Sequence, residues 1–255
     1  MEAFTLTRKE MADLLLAMQG QNCCGPLQVL QQAWKQSHRD AYESGSSLPA
    51  FLSTALPPVL VKLIKGREVK GFSLQEISAL GGLINFSQMS ITSMQNWVKR
   101  DFKAYFDCPK IGKKYSLNQT ALLFIIEDLK SSLDFGSIRK LFDRLFNKPE
   151  DETDDLIGPL ELYAAYTSMY EELAASGYRL FDMARPYTDA KDREAIMEQM
   201  LHSASEPFLQ ILPRLSEEQT EALRHILFIA VISIRTSYFH SLAKRYCHAT
   251  LFLNS

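Results

Sequence analysis

"SITSMQNWVKRDFKAYFDCPKIGKKYS", Ser90 to Ser116, gathers six Lys and Arg against only Asp101 and Asp107, in a 255-residue chain of formal net charge -2. The cations interleave with Trp97, Phe102, Tyr105, Phe106 and Tyr115. A solvated surface accounts for the charge but not for the aromatic residues. On a helical wheel running from Ser90 to about Arg100, Met94, Trp97 and Val98 share one face, which Phe102 extends, and that face packs inward. Thr92, Gln95, Asn96, Lys99 and Arg100 are left outward. Ser90 stands where an N-cap belongs. Two amides and two cations on an exposed helix face suit the major groove: amides bond adenine edges, while Lys and Arg reach guanine or phosphate. The following "CPKIGKKYS" holds Pro, Gly and a Tyr-Ser exit, the composition of a small β-hairpin. On it Lys110, Lys113, Lys114 and Tyr115 are placed to meet a sugar-phosphate backbone.

Outward from this stretch the punctuation is regular. "SLQE" (Ser73 to Glu76) and "SLNQ" (Ser116 to Gln119) are capping boxes, and Asp134 caps a further helix with Leu133 and Ile138 as its hydrophobic staple. The order helix, turn, helix, hairpin, helix, helix is that of a winged helix-turn-helix. Before it, Thr7 and Glu10 form another capping box. A second helix follows Gly25-Pro26 and runs to a linker at "SGSSLP" (Ser44 to Pro49), and a third begins at "LPPVLVKLIKG". After it, "NKPEDETDD" (Asn147 to Asp155) reads as an acidic linker. Three helices follow, over Pro159 to Ser176, about Asp189 to Ser203, and Ser216 to about Cys247. The last is apolar on almost every side over its middle, so it belongs in a domain core or a subunit interface.

Charge divides the chain the same way. Residues 1–65 carry a balance of +1, residues 66–148 one of +5, and residues 149–255 one of -8. Such asymmetry points to nucleic-acid or membrane contact by the basic part. The start lacks a basic leader region, and "ILFIAVISI" (Ile226 to Ile234) is about half of a bilayer span. A cytoplasmic protein without membrane contact is expected. Cys23, Cys24, Cys108 and Cys247 show no CxxC spacing and read as reduced structural thiols, Cys247 as a buried one beside a helix end. The five histidines are scattered, "KIGKK" lacks the full phosphate-loop pattern, and the carboxylates of "EDETDD" read as a solvated linker. No enzyme, metal or cofactor is expected. Tyr163, Tyr166 and Tyr170 form an aromatic stripe, read first as core and second as the wall of a pocket for a small-molecule effector.

"GFSLQEISAL", "SITSMQNWVKR" and "GKKYSLNQTALLFIIEDLKSSLDFGSIRKLFDRLF" together resemble the MerR-type winged-helix domain of bacterial transcription regulators. More closely, "QNWVKRDFK", "GKKYS", "IEDLKSSLDF" and "FNKPEDETDDLI" resemble domain-of-unknown-function family 1836 of bacterial proteins, from about Leu48 onward. The resemblance implies duplex DNA as ligand. Two departures stand out: "GGLINFSQM" makes the segment between the two helices about six residues longer than the MerR pattern, and "NKPEDETDDLIGP" interrupts where a dimerisation helix would begin. Operator occlusion, hence repression, is therefore expected rather than activation by untwisting.

The reading is a mainly α-helical chain: an N-terminal helical region (1–65), a MerR-like winged helix-turn-helix with a small hairpin wing (66–148) and an all-helical C-terminal region for dimerisation or effector binding (149–255). It expects a DNA-binding transcriptional regulator acting as a homodimer. Thr92, Gln95, Asn96 and Lys99 read bases; Arg100, Lys110, Lys113, Lys114 and Tyr115 hold phosphates. The alternative is a non-catalytic interaction adaptor on the same fold, which would show no salt-dependent DNA affinity.

Overall fold

In the computed structural model, residues 4–39, 43, 45, 56–65, 69–107, 114–146, 155–175, 190–212 and 215–253 are described. They are mainly helical and divide into two compact units, 1–127 and 128–255. The two linkers expected at Ser44 to Pro49 and Asn147 to Asp155 lie outside the described residues, except for Gly45 and Asp155.

The first unit opens with α1 (Arg8–Gln19), α2 (Pro26–Ser37) and α3 (Pro58–Ile64). The Thr7–Glu10 box forms in both directions, Glu10 N–H donating to Thr7 Oγ1 at 3.1 Å and Thr7 N–H to Glu10 Oε2 at 2.7 Å. Gly20 ends α1 in the left-handed conformation (φ 79°), which an L side chain rarely adopts. Then come β1 (Gly71–Phe72), α4 (Leu74–Gly81) and α5 (Ile91–Asn96), the last continued by a π-helical turn over Trp97–Asp101. A short α6 (Lys103–Phe106) and β2 (Tyr115–Ser116) follow. β2 pairs antiparallel with β1, Gly71 opposite Ser116 and Phe72 opposite Tyr115. The hairpin expected over 108–116 falls largely outside the described residues. The strand partner that is described, β1, had no signal in the sequence.

The long segment between α4 and α5 is held by the chain's own beginning. Leu6 N–H donates to Leu83 O (2.8 Å), Asn85 N–H donates back to Leu6 O (3.2 Å), and Arg8 Nη1 reaches Asn85 O (2.9 Å). The extra residues thus form a bridged loop that packs on buried Leu6. A Cβ on Gly81 would lie 2.6 Å from Met89 Sδ and 3.0 Å from its Cβ, so glycine is what lets the end of α4 approach the entry to α5.

α7 (Leu117–Leu129) is buried on almost every side. Ser116 and Gln119 cap it reciprocally, each bond 3.1 Å. In the second unit, Asp134 caps α8 (Phe135–Leu145) by accepting from Ser137 N–H at 3.0 Å. α9 (Pro159–Ala175), α10 (Ala190–Gln210) and α11 (Glu217–Leu253) complete the unit. α10 passes the expected end at Ser203 and contains Pro207, because burial of Ala204, Ser205 and Leu209 carries the packed face onward. Tyr163 and Tyr166 are fully buried, edge to face at 5.5 Å, and Tyr166 O–H donates to buried Asp128 Oδ2 at 2.8 Å. Two of the three candidate effector tyrosines are thus core, and Tyr170 is half-buried.

α11 has 37 residues, about 55 Å at 1.5 Å per residue. Leu223, Ile226, Leu227, Ala230, Val231 and Ile234 are buried, whereas the helix beyond Phe239 is largely exposed. Cys247 is exposed rather than buried, on a stretch of α11 whose residues from Ala243 to Phe252 are all exposed. Cys23 is exposed and Cys24 half-buried, so neither is a core thiol, and they form no disulfide. By length and composition α11 also meets the requirement for a membrane span, a test that buried helices pass as well.

Candidate nucleic-acid interface

α5 begins because Ser90 Oγ accepts from Ser93 N–H at 3.1 Å, satisfying one of the orphan donors of the first turn. Met94, Trp97, Val98 and Phe102 are buried, and Thr92, Gln95, Asn96, Lys99 and Arg100 are exposed, the division that the apolar spacing predicts. From Trp97 the winding loosens: Phe102 N–H donates to Trp97 O at 2.8 Å, a bond to the fifth residue back. The π-helical turn lets Trp97, Val98 and Phe102 all reach the core while Lys99 and Arg100 stay on the outer face. Such turns often occur at functional sites.

The helix is fixed at both ends. Ser78 Oγ donates to Met89 O (3.2 Å), and Gln88 N–H to Glu127 Oε1 (3.2 Å), anchoring its entry to α4 and α7. Past its exit, Gln119 Nε2 donates to Tyr105 O (3.4 Å), so the residue that caps α7 also holds α6. The outer face, by contrast, is uncommitted. Among the described residues, none forms a hydrogen bond or ion pair with the side chains of Thr92, Gln95, Asn96, Lys99 or Arg100.

Of the cations expected on the hairpin, Lys114 is among the described residues. Lys110 and Lys113 lie outside the described residues. Lys114 Nζ is 3.5 Å from Glu76 Oε2, and Lys62 Nζ is 2.8 Å from Glu76 Oε1, so one carboxylate sits between two cations. Burial alone would raise the Glu76 pKa. The Lys62 hydrogen bond, the Ser73 N–H and the charges of Lys114 and Lys62 outweigh it and bring the value down to about 2. Lys114 is therefore a shared cation, which the sequence did not foretell. Its side chain is still 46% exposed and can face a second anion. Tyr115 is half-buried edge-on against Phe106 (6.0 Å), and burial pushes its phenol pKa up, so it stays a neutral O–H donor. The Glu76 clamp was legible only in part: the capping box shows in the sequence, but its two cations come from segments 14 and 38 residues away.

Among the described residues no three His, Cys, Asp or Glu side chains gather as metal ligands would. His38 is buried, stacked on Trp34 at 4.7 Å, and His202 and His225 pack against Phe228.

Two comparisons bear on this arrangement. The profile of the family described as "Domain of unknown function (DUF1836)" matches residues 72–169, from β1 into α9. The Uncharacterized protein YkrK of Bacillus subtilis (strain 168) is 31% identical over 245 residues, covering 96% of this chain and 97% of that protein. The chain belongs to the DUF1836 family. The family match takes in the whole of the α5 face and its supports, and the relative extends the likeness across both units. No solved structure matches the chain.

Proposed function

We propose that this protein binds duplex DNA through the outer face of α5 and regulates transcription, repressing by occupying its operator. The observation that carries the reading is the uncommitted polar face of Thr92, Gln95, Asn96, Lys99 and Arg100, on a helix whose opposite face is buried and whose ends are anchored. In that role Gln95 and Asn96 bond base edges, with Thr92 and Lys99 beside them. Arg100, Lys114 and Tyr115 contact phosphates, as do Lys110 and Lys113 from the segment before β2. The two helices α4 and α5, followed after α6 by β2, α7 and α8, with β2 paired to β1, support the same reading, in which this segment is a MerR-like winged helix-turn-helix. The protein acts in the cytoplasm as a homodimer joined through its C-terminal helices, on a near-palindromic operator.

The adaptor reading has its own support in Ile91 (38% exposed) and Phe86 (40% exposed), two apolar groups close to the same face in sequence. It predicts a protein ligand there and tolerance of charge removal. Selection of bound sequences from random duplex DNA separates the two. Enrichment of a motif that changes at one position in Asn96→Ala supports base reading; no enrichment by the wild-type chain at low salt removes it.

A further inference from the structure

Among the described residues, α5 and its π-helical turn expose one apolar side chain. Met94, Trp97 and Val98 are buried, whereas Ile91 is 38% exposed. Ile91 takes no part in capping, which Ser90 Oγ performs by accepting from Ser93 N–H at 3.1 Å. A solvated first turn favours carboxylates, which complement the helix dipole, yet the first turn of α5 carries none. An aliphatic group where an acid would be the stabilising choice suits a surface that meets an anion with an apolar point on it.

The place of Ile91 on the helix gives that point a direction. Cβ atoms tilt towards the N-terminus, and residues four apart lie one above the other. Ile91 therefore stands one turn ahead of Gln95, at the leading end of the polar face, with Thr92 beside it. In a recognition helix the N-terminal residues are those that meet base edges. The major groove displays hydrogen-bonding groups and a single apolar one, the thymine 5-methyl, which apolar side chains cover. One turn advances about 5.4 Å, and base pairs follow one another at about 3.4 Å, so Ile91 and Gln95 reach sites one or two base pairs apart.

Size and charge separate this occupant from a protein. Phe86, 40% exposed, is the other apolar group near the helix in sequence, with exposed Gln88 and Ser90 between the two in the chain. Two partly open side chains are too small a patch for the apolar core of a protein interface, which takes about 800 Å² from each partner. One partly open aliphatic group matches one methyl, and exposed Lys99 and Arg100 on the same face favour a polyanion.

We infer that Ile91 reads a thymine 5-methyl group one or two base pairs from the adenine bonded by Gln95, so that each operator half-site holds a required thymine. This rests on the DNA-binding reading above and names the base chemistry at the leading end of its contact.

The test takes the motif that the full chain enriches from random duplex DNA and replaces its thymines one at a time with deoxyuridine. That change removes the 5-methyl and leaves every hydrogen-bonding group in place. At one position of the half-site the wild-type chain should lose about fourfold in affinity, the worth of one buried methyl-sized group. Ile91→Ser, whose hydroxyl gains nothing from a methyl, should bind the thymine duplex more weakly by a similar factor and be indifferent to uracil at that position. Ile91→Leu keeps an aliphatic end and should stay sensitive; circular dichroism checks the fold of both variants. Sensitivity at no thymine, or sensitivity that Ile91→Ser retains in full, would overturn the inference while DNA binding stood. Failure of the wild-type chain to enrich any motif would overturn both.

Discussion

Replacing Glu76 by glutamine separates the charge of this residue from its shape. The amide oxygen can still accept from Ser73 N–H and keep that half of the α4 cap, but the pairs with Lys62 at 2.8 Å and Lys114 at 3.5 Å lose their charge. Both lysines are nearly half exposed, so each pair has the modest value of a surface contact, about 0.2–1 kcal/mol. Together with weaker cap bonding, the variant should be about 1–2 kcal/mol less stable at pH 7. The pH dependence has a definite sign. Folding lowers the Glu76 pKa from 4.5 to about 2, so its contribution is complete above about pH 4.5 and is lost as the pH falls towards 2. Wild type and Glu76→Gln should therefore differ by a constant amount from pH 7 to pH 5 and converge below. Urea unfolding followed by tryptophan fluorescence is the assay, since Trp34 and Trp97 are the chain's two tryptophans and both are buried in the first unit. The same change releases Lys114 and removes a negative charge beside it, so nonspecific affinity for duplex DNA should rise as stability falls. A gap in stability that persists unchanged to the lowest accessible pH would refute the assignment of Glu76 as an ionised clamp.

Three further outcomes are expected. Gly81→Ala should destabilise the first unit by up to about 2 kcal/mol in the same fluorescence assay, because pushing Met89 aside costs about 1–3 kcal/mol and better helix propensity returns about 1. Asn96→Ala, at an exposed position, should leave urea unfolding unchanged and cost about 1–3 kcal/mol of discrimination at a single base pair, read by competition among operator variants. Tyr166→Phe removes the hydroxyl that donates to buried Asp128 and should cost about 1–3 kcal/mol, measured by circular dichroism of urea unfolding; an unchanged midpoint would mean the bond adds no net stability.

What the sequence revealed was local. The inward and outward faces of α5 follow from apolar residues one helical turn apart, and the caps at Thr7, Ser73, Ser90, Ser116 and Asp134 each need only a side chain and a backbone N–H three residues on. What it concealed depends on distant pairing. β1 has two residues and exists because Tyr115 and Ser116 come to it. The loop after α4 is ordered by Leu6 and Arg8, far back in the chain, and Lys114 is partnered by a carboxylate from α4. The π-helical turn left no sign either, since an α-helical wheel already places Lys99 and Arg100 outward. Tyr163 and Tyr166 show the limit of a stripe: spacing puts them on one face, and only packing tells a core from a pocket wall.

The central claim is tested most directly by binding of the purified chain to random duplex DNA over a salt series. Arg100, Lys110, Lys113 and Lys114 from each of two copies predict log affinity falling against log salt with a slope near about -7, at about -0.9 per phosphate contact. Changing Lys113 and Lys114 to alanine should flatten that slope by about half. Undetectable affinity at low salt, or a slope unchanged by the double substitution, would contradict the account.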